Sequence, residues 1–178
     1  MPHFEKTLKE NEIFKGNVIR VVHDEVLLEN GEKAMREVAY HNGGACILPL
    51  CENGDVIFVK QFRYPYKEEV LELPAGKLNL GEDPFESSKR ELLEETGATA
   101  KKITSLGKMY PSPGFCSEII SMYLAEDLSF GSQHLDEDEF LDVIRIPLEK
   151  AVEMVLSGEI VDAKTQVAIL KTHLLKNK

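Results

Sequence analysis

The sequence predicts an α+β fold, or a three-layer sandwich of helices and sheet. Strand-like apolar runs occupy most of the first 73 residues, one capped helix follows them, and further strands precede two terminal helices. Strands grouped on both sides of a helix, without strict strand–helix alternation, are typical of this class. The chain has 178 residues, which is long enough for one substantial hydrophobic core.

The region 1–42 is predicted to form antiparallel strands ahead of a main domain at 43–178. Strand-like runs at 17–28 and 34–41 are separated by the turn signal Glu-Asn-Gly at 29–31. This region is rich in charge and poor in large core residues. We therefore expect it to pair with something besides itself, as a dimerisation region.

The main domain opens with two apolar runs, ACILPL and VIFVKQFRY, around an Asn-Gly turn, which predict a β-hairpin. A short strand is expected at 70–73, before the capped helix. The remaining predicted elements are strands at 103–110, 119–125 and 140–146 and helices at 148–157 and 163–175.

The helix after these strands is predicted over 84–96. Asp83 suits its N-cap, a glutamate three residues later completes a capping box, and a proline stands at the first helical position. Gly97 ends the helix. At about 100° per residue, Phe85 and Leu92 share an apolar face that is expected to dock on a core.

The neighbouring face of this helix carries three carboxylates, Glu91, Glu94 and Glu95. On spacing alone, the pattern is typical of an ordinary solvated helix face. The alternative is a metal site, because carboxylates one helical turn apart suit the hard cations Mg²⁺ and Mn²⁺.

Composition limits the possible partners and location. The net charge of −10 argues against nonspecific nucleic-acid binding, which depends on basic patches, although a divalent metal can still supply local positive charge to a phosphate-bearing substrate. No apolar run has the length of a signal peptide core or a membrane span. Cys46, Cys51 and Cys116 show no CxxC spacing and are predicted to be buried free thiols, as expected in a reducing cytoplasm.

Residues 76–98, GKLNLGEDPFESSKRELLEETGA, resemble the Nudix box, Gly-x5-Glu-x7-Arg-Glu-Leu-x-Glu-Glu-x-Gly-Ala as it stands here. Nine specified positions match over 23 residues, and the only departure is the small Ala98 at the final apolar position. The resemblance implies a Nudix fold, with a mixed sheet between helices in an α/β/α sandwich. It also implies hydrolysis of a nucleoside diphosphate derivative with Mg²⁺, or alternatively Mn²⁺.

The resemblance further implies roles for the helix residues. Glu91 and Glu95 would bind the metal directly, and the backbone carbonyl of Ala75 would be a third ligand. Glu94 would act in catalysis, through water or a second metal. Arg90 would pair with a carboxylate and fix its rotamer.

A second acidic group occupies 136–139, ahead of the strand at 140–146. From sequence alone, a solvated loop and a functional loop are equally good interpretations. Nudix enzymes that act on ADP-ribose carry a catalytic glutamate on a loop in this place, which implies Glu137 or Glu139 as general base or additional metal ligand. The two are not separated by sequence, but Glu139 adjoins the strand and is the better-held position.

The turn Ser112-Pro113-Gly114 indicates the branch of the family. A tight strand connection explains it without any function. However, Pro113 lies 15 residues beyond Ala98, a spacing similar to that of the ADP-ribose pyrophosphatase branch. In that branch this turn lines the substrate cleft and a following glutamate, here Glu118, contacts the ribose region.

Two arginines are implied to contact the substrate. Arg63 resembles the phosphate-binding arginine of the branch. Arg36, with Glu37, occupies the segment that reaches the adenosine end, often across a dimer interface, although an isolated strand arginine is also typical of a surface ion pair. His41 stands where a further arginine is expected, which puts one substrate contact in doubt but not the reaction.

The resemblance covers almost the whole chain and predicts a cytoplasmic homodimer with N-terminal strands that cross over. It predicts cleavage of ADP-ribose to AMP and ribose 5-phosphate, in which water attacks the metal-bound diphosphate and a glutamate of 137–139 deprotonates or orients that water. One alternative is a Nudix hydrolase acting on a nucleotide sugar or dinucleoside polyphosphate. The other is a noncatalytic module that senses ADP-ribose, but the loss of box glutamates that would mark it is not seen here.

Overall fold

The computed structural model describes residues 3–135 and 139–177. It divides into two compact units. The first comprises the chain up to Gly43 together with Tyr110–Ile119, and the second comprises Gly44–Met109 with the chain from Ile120 onward. The first unit therefore begins as the sequence region 1–42 does, and it also takes in a later segment of the chain.

The first unit is built on one antiparallel sheet. Its strands are β1 (Lys6–Lys9), β2 (Glu12–Lys15), β3 (Ile19–Leu27) and β4 (Lys33–His41). β4 pairs with one edge of β3 from end to end, whereas β1 and β2 share its other edge. The two longer strands were predicted; β1 and β2 were not, since four exposed residues in each leave no buried periodicity to detect.

The segment Tyr110–Ile119 lies along β4 in the first unit. Ala39 N donates to Phe115 O at 2.8 Å, and Ser117 N donates to Ala39 O at 3.0 Å. The hydroxyl of Ser117 accepts a third bond, from His41 N at 3.0 Å. These bonds tie the end of the Ser-Pro-Gly turn to the end of a regular strand.

In the second unit, the described residues form two sheets and three helices. Its strands are β5 (Gly44–Pro49), β6 (Asp55–Arg63), β7 (Glu68–Glu72), β8 (Ala75–Lys77), β9 (Ala98–Met109), β10 (Ile120–Phe130) and β11 (Leu141–Pro147). One sheet has the order β8-β5-β10-β9 and is mixed, because β5 and β10 run parallel while the other pairs are antiparallel. The other sheet, β11-β6-β7, is antiparallel.

Helices cover both faces of the mixed sheet. They are α1 (Pro84–Thr96), α2 (Leu148–Ser157) and α3 (Ala163–Lys176). Ile47 of β5 packs with Leu92 of α1 in a small cluster. Its neighbours in sequence, Cys46 and Leu48, point to the opposite face and join the larger core with α2 and α3, because successive strand residues alternate between faces. The predicted sandwich with a mixed sheet and an antiparallel strand extension is confirmed.

The predicted hairpin of β5 and β6 is wrong, although its turn is present. Gly54 has φ +89°, Gly54 N donates to Cys51 O at 3.0 Å, and Cys51 N donates to Asp55 O at 2.8 Å. Beyond a single bridge between Leu50 and Val56, the two strands separate into different sheets. Every residue of β5 is buried, and its two edges pair with β8 and β10. Pairing with distant strands therefore overrides the local turn signal.

Helix α1 has the predicted bounds and caps, with two differences. Asp83 Oδ1 accepts from Phe85 N and Glu86 N, but Glu86 binds Lys89 Nζ at 2.9 Å, so only the aspartate half of the capping box is seen among the described residues. Leu92 is buried, whereas Phe85 stays 38% exposed and contacts Tyr123 edge-on. Phe85 lies in the first turn of the helix, at the margin of the packed face.

Replacing Gly97 with alanine is expected to destabilise the protein more than its backbone angle alone requires. Gly97 has φ +67°, which costs an alanine about 1–2 kcal/mol. An added Cβ would also lie 2.7 Å from Gly131 O. Urea unfolding should show a greater loss for Gly97→Ala than for Gly54→Ala, whose φ is +89° but whose Cβ would meet nothing within 4 Å. Equal losses would contradict the contact.

No helix in the described part of the chain is long and apolar enough to cross a membrane. The three cysteines are free, as predicted. Cys46 is completely buried, and this desolvation raises the pKa of its thiol to about 12. Cys51 and Cys116 are half-buried, so the expectation of burial holds fully for Cys46 alone.

Candidate active site on helix α1

Glu91, Glu94 and Glu95 do not form a solvated face of α1. Glu91 and Glu95 are buried, and Glu94 is half-buried. α1 packs so closely on β8 that a Cβ at Gly76 would lie 1.8 Å from Glu91 Oε1. The Glu91 carboxylate therefore occupies the space that any side chain at position 76 would need.

Glu95 is the most strongly perturbed acid of the cluster. Its Oε2 accepts a hydrogen bond from Ala75 N at 3.1 Å. Burial, followed by the negative charges of Glu91 and Glu139, raises the pKa of Glu95 to about 9. Burial also raises the pKa of Glu91, against the opposing charge of Arg90. These carboxylates repel one another in a place that water does not reach well.

The segment before the acidic loop is attached to the carboxyl end of α1. Gly131 N donates to Gly97 O at 2.7 Å, and His134 N donates to Glu94 O at 3.0 Å. The side-chain amide of Gln133 donates to Glu95 O at 2.6 Å. Glu139 is half-buried, and its negative charge contributes to the raised pKa of both buried acids, so the fold brings it to this cluster. Its role as base or metal ligand stays a prediction. The alternative base, Glu137, lies outside the described residues.

Arg90 links the acids on the outer side of the helix. Its Nη1 donates to Glu91 Oε1 at 2.7 Å and to Glu94 Oε2 at 2.8 Å, and its Nε donates to Glu82 Oε1 at 3.0 Å. These bonds and the nearby negative charges raise the pKa of Arg90 above its ordinary value. Arg90 thus has the ion-pairing contacts predicted for it. Glu82 was part of the recognised motif, but the sequence reasoning assigned it no role.

The donor set is suitable for a divalent cation. Among residues 3–135 and 139–177, no three His, Cys, Asp or Glu side chains converge as a finished metal site, since Arg90 holds Glu91 and Glu94 and Ala75 N holds Glu95. Even so, the close approach of the Glu91 carboxylate to Gly76 and the mutual repulsion of Glu91, Glu95 and Glu139 describe an acid cluster that a hard cation would stabilise. The Ala75 carbonyl stays a predicted ligand.

A second charged cluster lies near Glu95 in the same unit. Arg63 forms a bidentate pair with Glu72, with Nε–Oε1 at 2.6 Å and Nη2–Oε2 at 2.8 Å. Lys164 contacts the same carboxylate and lies 3.1 Å from Asp162 Oδ2. The charge of Glu95 contributes to the raised pKa of Arg63, which shows that the predicted phosphate-binding arginine lies within electrostatic range of the acid cluster.

The other predicted substrate contacts lie in the first unit. Arg36 forms a bidentate pair with Glu5, and Glu37 is exposed on β4. The turn at Ser112, Pro113 and Gly114 closes through Cys116 N and Ser112 O at 2.9 Å.

Glu118 approaches His41 in the first unit. Its Oε1 lies 3.4 Å from Nδ1 of His41, the residue that stands where an arginine was expected. Because that nitrogen also accepts a hydrogen bond from Gly43 N at 3.0 Å, it is not simultaneously a donor to Glu118.

A NUDIX domain model matches residues 40–165. The chain belongs to the Nudix family. An ADP-ribose pyrophosphatase of Bacillus subtilis is 46% identical over 167 residues, which cover 93% of this chain and 90% of the relative. A methanol dehydrogenase activator of Bacillus methanolicus is 39% identical over 179 residues, covering 98% and 97%.

The Nudix fold is also found in a solved structure described as an ADP compounds hydrolase. It superposes with a TM-score of 0.85 over 97% of this chain and 94% of its own, at 21% identity. This likeness concerns the fold. Nudix hydrolases generally use divalent metal ions, which agrees with the acid cluster on α1.

Glu72, Lys164 and Gln133 were missed by the sequence reasoning for this Nudix hydrolase. Glu72 and Lys164 are 92 residues apart in the chain and meet only in the folded structure. Gln133 carries no local pattern that distinguishes it from other loop amides. The one signal in the sequence that could have indicated Glu72 is an acid placed between two leucines, Leu71 and Leu73.

Proposed function

We propose that this Nudix hydrolase cleaves ADP-ribose with water to AMP and ribose 5-phosphate, with Mg²⁺ or Mn²⁺ as cofactor. The observation that carries the proposal is the 46% identity, across nine tenths of both chains, to an ADP-ribose pyrophosphatase. The intact buried acids of α1 support catalysis over a purely sensing role.

Glu91, Glu95, Glu139 and the carbonyl of Ala75 are the proposed holders of the cation, with Glu94 beside them. A bound divalent cation would neutralise charge on the phosphate oxygens. It would also lower the pKa of a water bound to it. Hard oxygen donors of this kind suit Mg²⁺ and Mn²⁺ better than softer metals.

The remaining steps fall to the side chains. The water oxygen forms a bond to one phosphorus while the bond from that phosphorus to the bridging oxygen breaks. Glu139 or Glu137 takes the proton of the water as general base. Arg63 donates to the diphosphate oxygens, which holds them in place and offsets their charge.

The direct test is hydrolysis by the purified wild-type protein. ADP-ribose, a nucleotide sugar, a dinucleoside polyphosphate and an oxidised nucleotide are each incubated with Mg²⁺, and AMP and the other products are quantified by chromatography. We expect ADP-ribose to have the highest kcat/KM and EDTA to abolish the activity reversibly. A higher kcat/KM for another compound would replace ADP-ribose as the substrate; no hydrolysis of any of them would contradict an enzymatic function.

A homodimer is the proposed assembly. In the first unit, large apolar side chains remain exposed on strands and loops, including Phe4, Ile13, Phe14 and Met35. Exposed apolar surface of this kind is typical of a protein–protein interface. Light scattering at micromolar concentration should give about twice the chain mass of 20.0 kDa. A monomeric mass would contradict the dimer.

We also propose that six residues of the first unit contact the substrate: Arg36, Glu37, Ser112, Pro113, Gly114 and Glu118. Replacing Arg36 with alanine should raise KM for ADP-ribose with little change in kcat, because a ground-state contact is lost.

We also propose a cytoplasmic location, which the three free cysteines support.

A second candidate function, activation of a dehydrogenase, is favoured by the relative of that name at 39% identity. Its test is a methanol dehydrogenase assay with and without this protein. A rate increase that persists in the Glu95→Gln variant would indicate activation without hydrolysis.

A further inference from the structure

Glu72 is a buried acid that joins two cations from different parts of the chain. It is 2% exposed at the end of β7. Its two oxygens accept hydrogen bonds from Arg63 of β6 and Lys164 of α3. We infer that Glu72 is a positioning residue, which holds the Arg63 guanidinium ready for an anionic diphosphate. The inference rests on the proposed function, in which Arg63 contacts that group.

The geometry of the pair leaves one edge of Arg63 available. Glu72 takes the Nε and Nη2 hydrogens in a bidentate contact at 2.6 and 2.8 Å. In the described part of the chain, Nη1 has no hydrogen-bond partner, and the Arg63 side chain is 37% exposed. A guanidinium held by two of its nitrogens keeps its plane fixed, so the third nitrogen presents its hydrogens in a defined direction.

Arg63 also lies within electrostatic range of the acid cluster. The negative charge of Glu95 acts on Arg63, and the positive charge of Arg63 acts on Glu95. The positive charge of Arg63 would therefore attract a diphosphate bound at the acid cluster.

The first turn of α3 anchors the same segment of chain. Lys164 contacts Glu72, and the hydroxyl of Thr165 accepts from the next residue, Leu73 N, at 2.9 Å. Two residues further on, Ala75 N donates to Glu95. One short segment, 72–75, thus connects the amino end of α3 to both Arg63 and the buried acid Glu95.

Stability alone does not explain the cluster of charges around Glu72. Lys164 is nearly buried between Glu72 and Asp162, and buried ion pairs often stabilise a fold less than well-packed apolar side chains of the same size. The benefit of keeping four charges here is a defined orientation of Arg63. An exposed pair on the same strands, Lys60 with Glu69 at 2.5 Å, has no such role and makes a matched comparison.

A double-mutant cycle tests the inference. Glu72→Gln should raise KM about tenfold, with a smaller change in kcat, because a lost charge-assisted contact leaves Arg63 misplaced in the ground state. In the Arg63→Ala background the same change should alter kcat/KM by less than about twofold, since Glu72 acts through Arg63. An equal loss in both backgrounds, or no loss in the wild-type background, would overturn the positioning role.

Two further variants keep the test decisive. Glu69→Gln should leave KM unchanged, since it removes only the exposed pair. If Glu72→Gln alone does not fold, Glu72→Gln with Lys164→Met removes one buried anion and one buried cation together. That folded double variant should still show the raised KM; a wild-type KM would overturn the inference.

Failure of this inference is distinct from failure of the proposed function. The wild-type substrate panel decides the latter. The cycle is then run on the compound of the panel that the wild-type protein cleaves with the highest kcat/KM. The oxidised nucleotide is chosen as a di- or triphosphate, so that every compound of the panel carries at least two linked phosphates. A different best substrate with an intact coupling would refute ADP-ribose while supporting Glu72.

Discussion

Replacing Glu95 with glutamine is expected to lower turnover on the order of 100-fold or more, because a lost metal ligand removes much of the charge stabilisation of the transition state. The same change should make the metal-free protein more stable. Glu95 is 2% exposed and lies beside two other acids, so the charged form is costly without a cation. A glutamine keeps the shape and can still accept the hydrogen bond from Ala75 N.

The gain in stability should grow with pH. Folding raises the pKa of Glu95 from its ordinary 4.5 to about 9, so the folded state binds the proton more tightly than the unfolded state. The stability that comes from this proton is fully present below about pH 4.5 and is lost as the pH rises towards 9. Melting temperatures in EDTA should therefore separate wild type and Glu95→Gln more at pH 8 than at pH 5.

Added Mg²⁺ should raise the melting temperature of the wild type and have little effect on the variant, because a ligand stabilises only the state that binds it. Glu86→Gln is the matched control, since Glu86 lies on the same helix in an exposed pair with Lys89. It should leave turnover and the Mg²⁺ effect unchanged. Near-normal turnover of Glu95→Gln would exclude Glu95 as a metal ligand.

Replacing Gly76 with alanine should have the second largest effect, a loss of kcat/KM of roughly 100-fold, in the range for a misplaced catalytic group. The added Cβ would lie 1.8 Å from Glu91 Oε1 and 2.1 Å from Glu91 Cδ, so the carboxylate has to leave its place. Gly76 has no positive φ, so backbone strain does not contribute. The free energy of unfolding should change much less than the activity.

Gly131→Ala controls for the loss of a glycine as such. Position 131 also has no positive φ, and its Cβ would meet only Gly97 O at an ordinary 3.7 Å. Steady-state kinetics and urea unfolding of both variants make the comparison. Full activity of Gly76→Ala would show that Glu91 does not need this position for catalysis.

Local signals in the sequence were enough to predict the helices whose ends are marked by capping residues or by a change in the apolar pattern. The bounds of α1 follow from Asp83 and Gly97, and α2 was predicted residue for residue. The prediction of a hairpin of β5 and β6 was wrong because its signal was only local. An Asn-Gly turn specifies the hydrogen bonds next to it, whereas the partners of β5 are other strands, β8 and β10. β8 was missed because three residues are too short for a period.

The sequence by itself determined the kind of site this protein has, because the spacing of Glu91, Glu94 and Glu95 along one helix, and of Gly76 ahead of that helix, is a local property of the chain. Only the tertiary structure decided how those groups behave. Burial and the negative charges of Glu91 and Glu139 change Glu95 from an ordinary helix acid into one with a pKa of about 9. Likewise, Glu72 meets Arg63 and Lys164 only after two strands and a distant helix have packed together. Ion pairing depends on distance in space and leaves no periodic pattern along the chain.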